Sequence, residues 1–557
     1  MCGISGIVSF APSDKLASGI KLMTDSLQHR GPDGEGHWID EKNQVALGHR
    51  RLSIIDLSGK GKQPMHYLNR YTITFNGEIY NYIELKQELV QAGYSFVSDS
   101  DTEVLLALFD QKKEACLQDL DGMFAFAIWD SEEQSLFCAR DRFGEKPFHY
   151  CFHNNQFYFA SEMKALWAAS VPKRKNQRLF DWFEETKSAH LPESINETFY
   201  EDIWRLEHGH WMKIKTDGSH QIQKYYDIDW KKQDCTLSFK DACAEFNRLF
   251  QLSLTRRFRS DVPVGTSLSG GLDSSSIVCN MKPYAHQQNV TPLTFSARFK
   301  DFKKDEGYFI EKVIEKTGFE SHVTWPTGKE MIADMESLCY HQEEPFGSAS
   351  VYAQYRVQKL AKEHHVTVLI DGQGADEILA GYISYYPEYL QSLFRTKPFF
   401  SLMRLKEQYR FIDFHTPHHS LKKLAVKSLH YYEIRGRMSS GKDSKRLNEQ
   451  LYNSTMRGAL QDLLRFADRN SMAHHREVRL PFLFHELVEF CFSLPDEYKL
   501  KLGWTKYIMR STFEEILPKE ICWRKEKVGF EPPQNQWMNE ANLNETWSSS
   551  LLKYFEQ

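Results

Sequence analysis

The chain opens Met1-Cys2-Gly3-Ile4-Ser5-Gly6-Ile7. With Met1 removed, Cys2 would carry a thiol and a free α-amine on one residue. That is a soft nucleophile beside a weak base whose ordinary pKa lies near neutrality. The glycine that follows suits a buried nucleophile, because it lets the chain turn tightly or a ligand come close. Two other segments carry glycine together with hydroxyl or acidic side chains. Ser269-Gly270-Gly271-Leu272-Asp273-Ser274-Ser275 can present backbone N–H groups to a phosphate at a helix N-terminus. It lacks the G-x-x-x-x-G-K-[ST] spacing of a P-loop. Asp371-Gly372-Gln373-Gly374-Ala375-Asp376-Glu377 lets the backbone approach a ligand, and Asp376 and Glu377 supply oxygens suited to Mg²⁺.

These segments need elements to hold them. In the first two hundred residues, Tyr71–Phe75 is β-branched and aromatic and ends in Asn76-Gly77, which predicts a turn. Met123–Trp129, Ser135–Arg140 and Gln156–Ala160 read as further strands. Helices are predicted over Tyr82–Ala92, closed by Gly93, and over Thr102–Lys112 behind Asp101 as cap. Strands with a few helices indicate an α+β sandwich. After a polar stretch from Thr216 to Thr236, the spacing Phe239, Cys243, Phe246, Phe250, Leu254 marks an amphipathic helix. Val262–Leu268, Leu293–Phe299 and Val366–Ile370 are apolar runs of the kind buried in a parallel sheet. The first and third deliver the two glycine-rich turns, at the strand ends where open α/β sheets bind ligands. Beyond about residue 380 the pattern is largely helical, and Tyr382, Tyr385, Tyr386 and Tyr389 read as core or pocket wall. The reading divides the chain into domains over 2–215 and 239–557, with 216–238 as linker.

Composition narrows the class. The 557 residues are 41% apolar and 26% charged, which is globular usage and more than one core can hold. A formal net charge of -5 and no basic segment of domain size argue against nucleic acid as partner. The one basic stretch, Lys422–Arg446, reads as a solvated face or loop. None of the ten cysteines forms a C-x-x-C pair, so no zinc site is expected. A reactive Cys2, no leader-like N-terminus and no long apolar run give a soluble, cytoplasmic expectation with no membrane partner.

Ser269–Ser275 resembles the pyrophosphate loop of ATP pyrophosphatases. Together with the N-terminal Met-Cys-Gly-Ile it resembles one family over almost the whole chain: glutamine-hydrolysing asparagine synthetases of the B type, which are class II amidotransferases. Further matching segments include His29-Arg30-Gly31-Pro32-Asp33, Asn76-Gly77-Glu78-Ile79-Tyr80-Asn81, Ser100-Asp101-Thr102-Glu103 and Asp468-Arg469-Asn470-Ser471-Met472-Ala473. The resemblance implies an antiparallel sandwich of the N-terminal-nucleophile hydrolase type. An α/β ATP-pyrophosphatase domain with a helical C-terminal part would follow it. Cys2 would attack the glutamine side-chain amide, with Asn76 and Gly77 as oxyanion hole. The segment Arg51-Leu52-Ser53-Ile54-Ile55, with Asn76, Gly77, Glu78 and Asp101, would bind glutamine. There Arg51 would take the α-carboxylate, and Glu78 and Asp101 the α-ammonium. ATP would lie against Leu268, Ser269, Gly270, Gly271, Asp273, Ser274, Ala297, Asp371 and Gly372. Asp273 and Asp376 would hold Mg²⁺, and Lys506 would neutralise phosphate charge. A carboxylate would be activated as an acyl-adenylate and then amidated by ammonia arriving through an internal tunnel. A homodimer is compatible with the resemblance.

Two positions depart from the family pattern. Where members often carry Ser-Gly-Glu-Gly, this chain has Asp371-Gly372-Gln373-Gly374, and the neutral amide of Gln373 cannot act as the family's catalytic glutamate. Phe484 stands where Arg479-Leu480-Pro481-Phe482-Leu483 usually leads into aspartate. The resemblance makes aspartate the first expected acceptor. Another carboxylate, such as a uronic-acid sugar or a peptide side chain, is the alternative, and a glutamine- or ATP-sensing protein without turnover is a third reading.

Overall fold

The computed structural model describes residues 1–189, 191, 193–288, 292–386, 388–389, 446–525, 529–541 and 546–555. Of the stretch Lys422–Arg446, all but its last residue lies outside the described residues.

The first part is a sandwich of two six-stranded antiparallel sheets. From edge to edge, one sheet runs Trp204–Arg205, His149–His153, Gln156–Ala160, Gly3–Ser9, Val45–Arg51, Gly34–Ile39. The other runs His220–Lys224, His210–Lys215, Ser135–Arg140, Gly122–Asp130, Tyr71–Ile79, Met65–Tyr67. The strand Gly122–Asp130 shows how a period of two builds the layers. Its Ala125, Ala127 and Trp129 face the other sheet and pack with Ile4, Val8 and Leu47. Its Phe124, Phe126 and Ile128 face outward, under the helices Tyr82–Gln91 and Asp101–Lys112. The helix Leu16–Ser26 covers the other outer face through Leu16, Ile20 and Met23. Helix, sheet, sheet and helix thus form four layers, with Cys2 just ahead of a central strand.

Three expectations need correction here. Asn76-Gly77 is not a turn, because the strand runs on from Tyr71 to Ile79. Its glycine answers to crowding instead: a Cβ at Gly77 would stand 2.1 Å from the Met123 carbonyl oxygen. Asp101 does not cap the following helix; Ser100 does, accepting from the Thr102 N–H, while Asp101 accepts from the Ile79 N–H at 2.9 Å. The stretch 216–238 opens with an edge strand, His220–Lys224, paired with His210–Lys215.

The second part holds a five-stranded parallel sheet in the order Glu320–Thr324, Leu293–Ala297, Val264–Ser267, Val368–Ile370, Glu477–Arg479. The two strands that lead into the glycine-rich turns are direct neighbours, so both turns emerge side by side at one end of the sheet. The amphipathic helix runs Phe239–Arg257, capped by Ser238. Buried ion pairs cross from the sandwich to this second part. The Met1 ammonium meets Glu477 at 2.9 Å, and Arg30 meets Asp468 through two nitrogens at 2.8 and 3.0 Å.

Candidate functional site

Around Cys2 the backbone is pinned on both sides. Its N–H donates to Asn76 Oδ1 at 2.9 Å, and its carbonyl accepts from Arg30 Nε at 3.0 Å. Met1 is buried among Tyr80, Met123 and Met472. Burial pushes the Cys2 thiol pKa up, against the nearby N-terminal ammonium, a weak contact to the Leu52 carbonyl and the Arg51 guanidinium. The thiol therefore rests protonated and would have to lose its proton to act as a nucleophile. Asn76 spends its oxygen on Cys2, while its Nδ2 is buried with no hydrogen-bond partner. A buried amide N–H₂ left open beside a nucleophile is a donor suited to a developing oxyanion.

The pocket at Cys2 is lined by Arg51, Leu52, Ile54, Ile55, Gly77, Glu78 and Asp101, and its volume is only about 30 Å³. Arg51 is folded onto the carbonyls of Asp56 and Ser58. Two buried carboxyls face the pocket. Glu78 is pushed well above the usual range by burial and by the charges of Glu477 and Asp101, with Arg479 3.8 Å away opposing, and its Oε2 has no partner. Asp101 is pushed up to about 6, chiefly by burial. An incoming ammonium would relieve both. Ser53 does not line this pocket; its N–H donates to Asp33 Oδ2 at 2.8 Å.

At the end of the parallel sheet lies a cavity of about 260 Å³, lined by both glycine-rich turns. Leu268, Ser269, Gly271, Asp273, Ser274, Ala297, Asp371, Gly372, Gln373, Asp376 and Lys506 all border it. The Ser269 hydroxyl accepts from Gly271 N–H, and the Ser274 hydroxyl from Ser269 N–H, just ahead of the helix Leu272–Gln288. To meet a phosphate oxygen at this helix start, the Gly271 N–H would have to give up the Ser269 hydroxyl. Gly270 does not line the cavity: with φ +77° it turns against the helix Gly307–Thr317, where a Cβ would come within 2.9 Å of Phe309. Gly372 permits contact between the turns, since a Cβ there would stand 2.9 Å from that of Asp273.

Lys506 Nζ bridges Asp273 at 2.5 Å and Asp376 at 2.7 Å. Its pKa is raised: burial works against the charge, and the two carboxylates outweigh it. Two convergent carboxylates fit a hard cation whose remaining ligands are phosphate and water. The cavity also takes in residues the sequence reading did not single out, among them Gln354, Leu463 and Arg510. They come from distant helices, so local patterning could not have pointed to them. Tyr382, read as core or pocket wall, lines the cavity and donates to Glu377 Oε1 at 2.7 Å.

Phe484 is fully buried away from this cavity, its ring 5.7 and 5.8 Å from the guanidinium carbons of Arg256 and Arg257. Arg256 and Arg257 also pair with Asp121 of the sandwich, at 3.0 and 3.5 Å. The departure at Phe484 therefore belongs to the contact between the two halves.

Comparison with known proteins agrees with this division. Residues 1–226 match the glutamine amidotransferase domain model and residues 245–553 the asparagine synthase model. Asparagine synthetase (glutamine-hydrolyzing) 1 of Bacillus subtilis is 33% identical over 99% of this chain and 90% of its own length. Asparagine synthetase (glutamine-hydrolyzing) 3 of the same organism is 33% identical over 94% and 86%. A protein named amidase chry2 from Gibberella zeae is 24% identical over 96% and 90%. Matching models across both halves and full-length similarity at this level place the chain in the glutamine-hydrolysing asparagine synthetase family.

Proposed function

We propose that the protein transfers the side-chain nitrogen of glutamine to a carboxylate that it first activates with ATP, and that this carboxylate is aspartate. The products would be asparagine, glutamate, AMP and pyrophosphate. The observation that carries the first half is the set of buried groups around Cys2: Asn76 Nδ2, without a partner, for an oxyanion, and for an ammonium Glu78, whose Oε2 has no partner, beside the raised carboxyl of Asp101.

In this reading Met1 is removed, and the Cys2 amine takes the thiol proton as sulfur attacks the glutamine amide carbon. The carbonyl oxygen gains negative charge opposite Asn76 Nδ2 and the Gly77 N–H. The amine returns the proton to the departing nitrogen, and water then cleaves the thioester to glutamate. For glutamine to enter, Arg51 exchanges the Asp56 and Ser58 carbonyls for the substrate α-carboxylate, which matches its forked donors.

In the larger cavity the 269–274 turn holds the leaving pyrophosphate, and Lys506 offsets its charge. Asp273 and Asp376 would hold Mg²⁺, which adds further positive charge against the phosphates. The acceptor carboxylate displaces pyrophosphate at the α-phosphorus, giving an acyl-adenylate for ammonia to attack. Moving ammonia inside the protein keeps it unprotonated and nucleophilic.

A second reading keeps this chemistry but changes the acceptor, and the neutral Gln373 in the cavity favours it. Pyrophosphate release from ATP with glutamine, measured with aspartate, a uronic-acid sugar and a carboxylate-bearing peptide in turn, separates the two. Aspartate is expected to raise the rate at least tenfold over background. No rise with aspartate but a rise with another acid would move the assignment to that acid.

A further inference from the structure

The carboxylates that line the larger cavity are not equivalent. Asp273 and Asp376 share Lys506, and Glu377 accepts from Tyr382. Asp371 is 5% exposed, and its Oδ1 has no hydrogen-bond partner. Its own N–H donates to the Arg479 carbonyl at 3.0 Å, which fixes it at the end of the strand Val368–Ile370. Two residues on, Gln373 Oε1 is likewise buried without a partner. An orphaned buried carboxylate oxygen costs folding free energy, so a role in the cavity is the natural explanation.

The chemistry requires a proton acceptor. When neutral ammonia adds to an acyl carbon its nitrogen becomes cationic, and unless a proton leaves, that nitrogen is the easier group to expel. Gln373 cannot take the proton. In the turn Asp371-Gly372-Gln373-Gly374, the carboxylate is that of Asp371.

We propose that Asp371 is the catalytic base of the amide-forming step, with Gln373 orienting the nitrogen. This rests on the adenylate chemistry proposed above. The nitrogen lone pair forms the C–N bond, and the Asp371 carboxylate accepts one N–H proton. The C–O bond to the phosphate then breaks, its electron pair leaving with AMP. Asp371 releases the proton to solvent, so that acyl-adenylate and ammonia become amide, AMP and one proton. The other charged and titratable groups around the same cavity are Lys506, Arg510, Arg524, Asp273, Asp376, Glu377 and Tyr382. Burial raises the Asp371 carboxyl to about 6, against the neighbouring Ser267, which leaves it ionised but basic at neutral pH.

The test uses the full-length enzyme with ammonium chloride as nitrogen source and the acid that releases pyrophosphate in the wild type, aspartate first. In Asp371→Asn, amide formation is expected to fall by roughly 100-fold or more. Acid-dependent ATP–pyrophosphate exchange shares any loss of ATP contact at residue 371 but does not need the base, so it should fall at least about tenfold less than amide formation. Asp371→Ser should behave like Asp371→Asn, and adding Gln373→Glu to it should restore amide formation to within about tenfold of wild type. The proposal is overturned if Asp371→Asn forms amide at a near-normal rate, or if exchange and amide formation fall together. It is also overturned if the double variant folds, binds ATP and is no better than Asp371→Ser. If no acid releases pyrophosphate with the wild type, the adenylate reading itself fails, and this inference with it.

Discussion

The pocket at Cys2 and the cavity at Lys506 are both lined by buried carboxyls, yet they handle charge in opposite ways. At Cys2, Glu78 and Asp101 have pKa values raised by burial in a space of about 30 Å³. At Lys506, Asp273 and Asp376 already hold a cation between them, in a cavity of about 260 Å³. The first arrangement is completed by a small ligand that brings positive charge. The second suits a larger ligand that brings negative charge and divides the lysine and the carboxylates between itself and a metal ion. The two sites therefore read as one for an amino acid and one for a nucleotide, and each can be broken without the other.

The largest expected effect tests that independence. Cys2→Ala should abolish amide formation from glutamine while leaving formation from ammonium chloride within about threefold of wild type, since the second cavity takes no group from Cys2. Following both nitrogen sources on one preparation decides it, and loss of both would show that the sites are one machine. Lys506→Met comes next. Removing a buried cation placed for phosphate charge should lower pyrophosphate release by about 10²–10³-fold. Glutamate formation from glutamine should change little. A parallel loss of glutaminase activity would contradict the separation.

A smaller effect distinguishes the two carboxyls of the Cys2 pocket. Asp101→Asn removes one charge-assisted partner of the substrate ammonium, worth about 1.5–3 kcal/mol, so KM for glutamine should rise about 10- to 100-fold with a lesser change in kcat. The pH dependence follows from the same group. Asp101 titrates near 6 in the free protein and must be ionised to meet an ammonium, so binding expels a proton below that pH. KM for glutamine should therefore fall as pH rises toward about 6 and level off above it, and Asp101→Asn should weaken that dependence. A KM that stays flat between pH 5 and 7 would place the ammonium elsewhere.

The two regions also differed in how readily the sequence disclosed them. Cys2 and both glycine-rich turns were legible because backbone chemistry fixes their form: an N-terminal thiol, and turns delivered by apolar strands. The strand runs Ser135–Arg140 and Gln156–Ala160 came through unchanged, since each is a short, largely apolar run buried along nearly its whole length and set off by polar breaks. The edge strand Glu477–Arg479 did not, because it is charged at both ends and buried only through pairing. Glu477 takes the Met1 ammonium, and Arg479 donates to the carbonyls of Arg257 and Arg259, all partners remote in sequence. Asn76-Gly77 misled for a related reason. Its residues suit a hairpin turn, but contact with Cys2 and with the Met123 carbonyl holds them within a strand. Likewise Arg30 and Asp468 stood out only as family motifs, while their pairing across the two halves is a tertiary fact.

Phe484 gives the smallest expected effect and a sharp check on where acceptor choice resides. Its ring packs against Arg256 and Arg257, outside the cavity that holds Gln373 and Asp371. Phe484→Asp would trade aromatic packing and cation–π contact for an ion pair with the same guanidiniums, and Arg257 Nε has no partner at present. The loss of a buried ring and the gain of a paired charge oppose each other, so stability should shift by no more than about 1–3 kcal/mol. The ratio of pyrophosphate release between any two acceptor acids should stay within about twofold, because the change lies outside the cavity lining. Gln373→Glu, which alters the cavity itself, should move that ratio further. If Phe484→Asp instead changed the preferred acid, the acceptor would have to bind where the two halves meet, and the separation of the two sites would fail at that point.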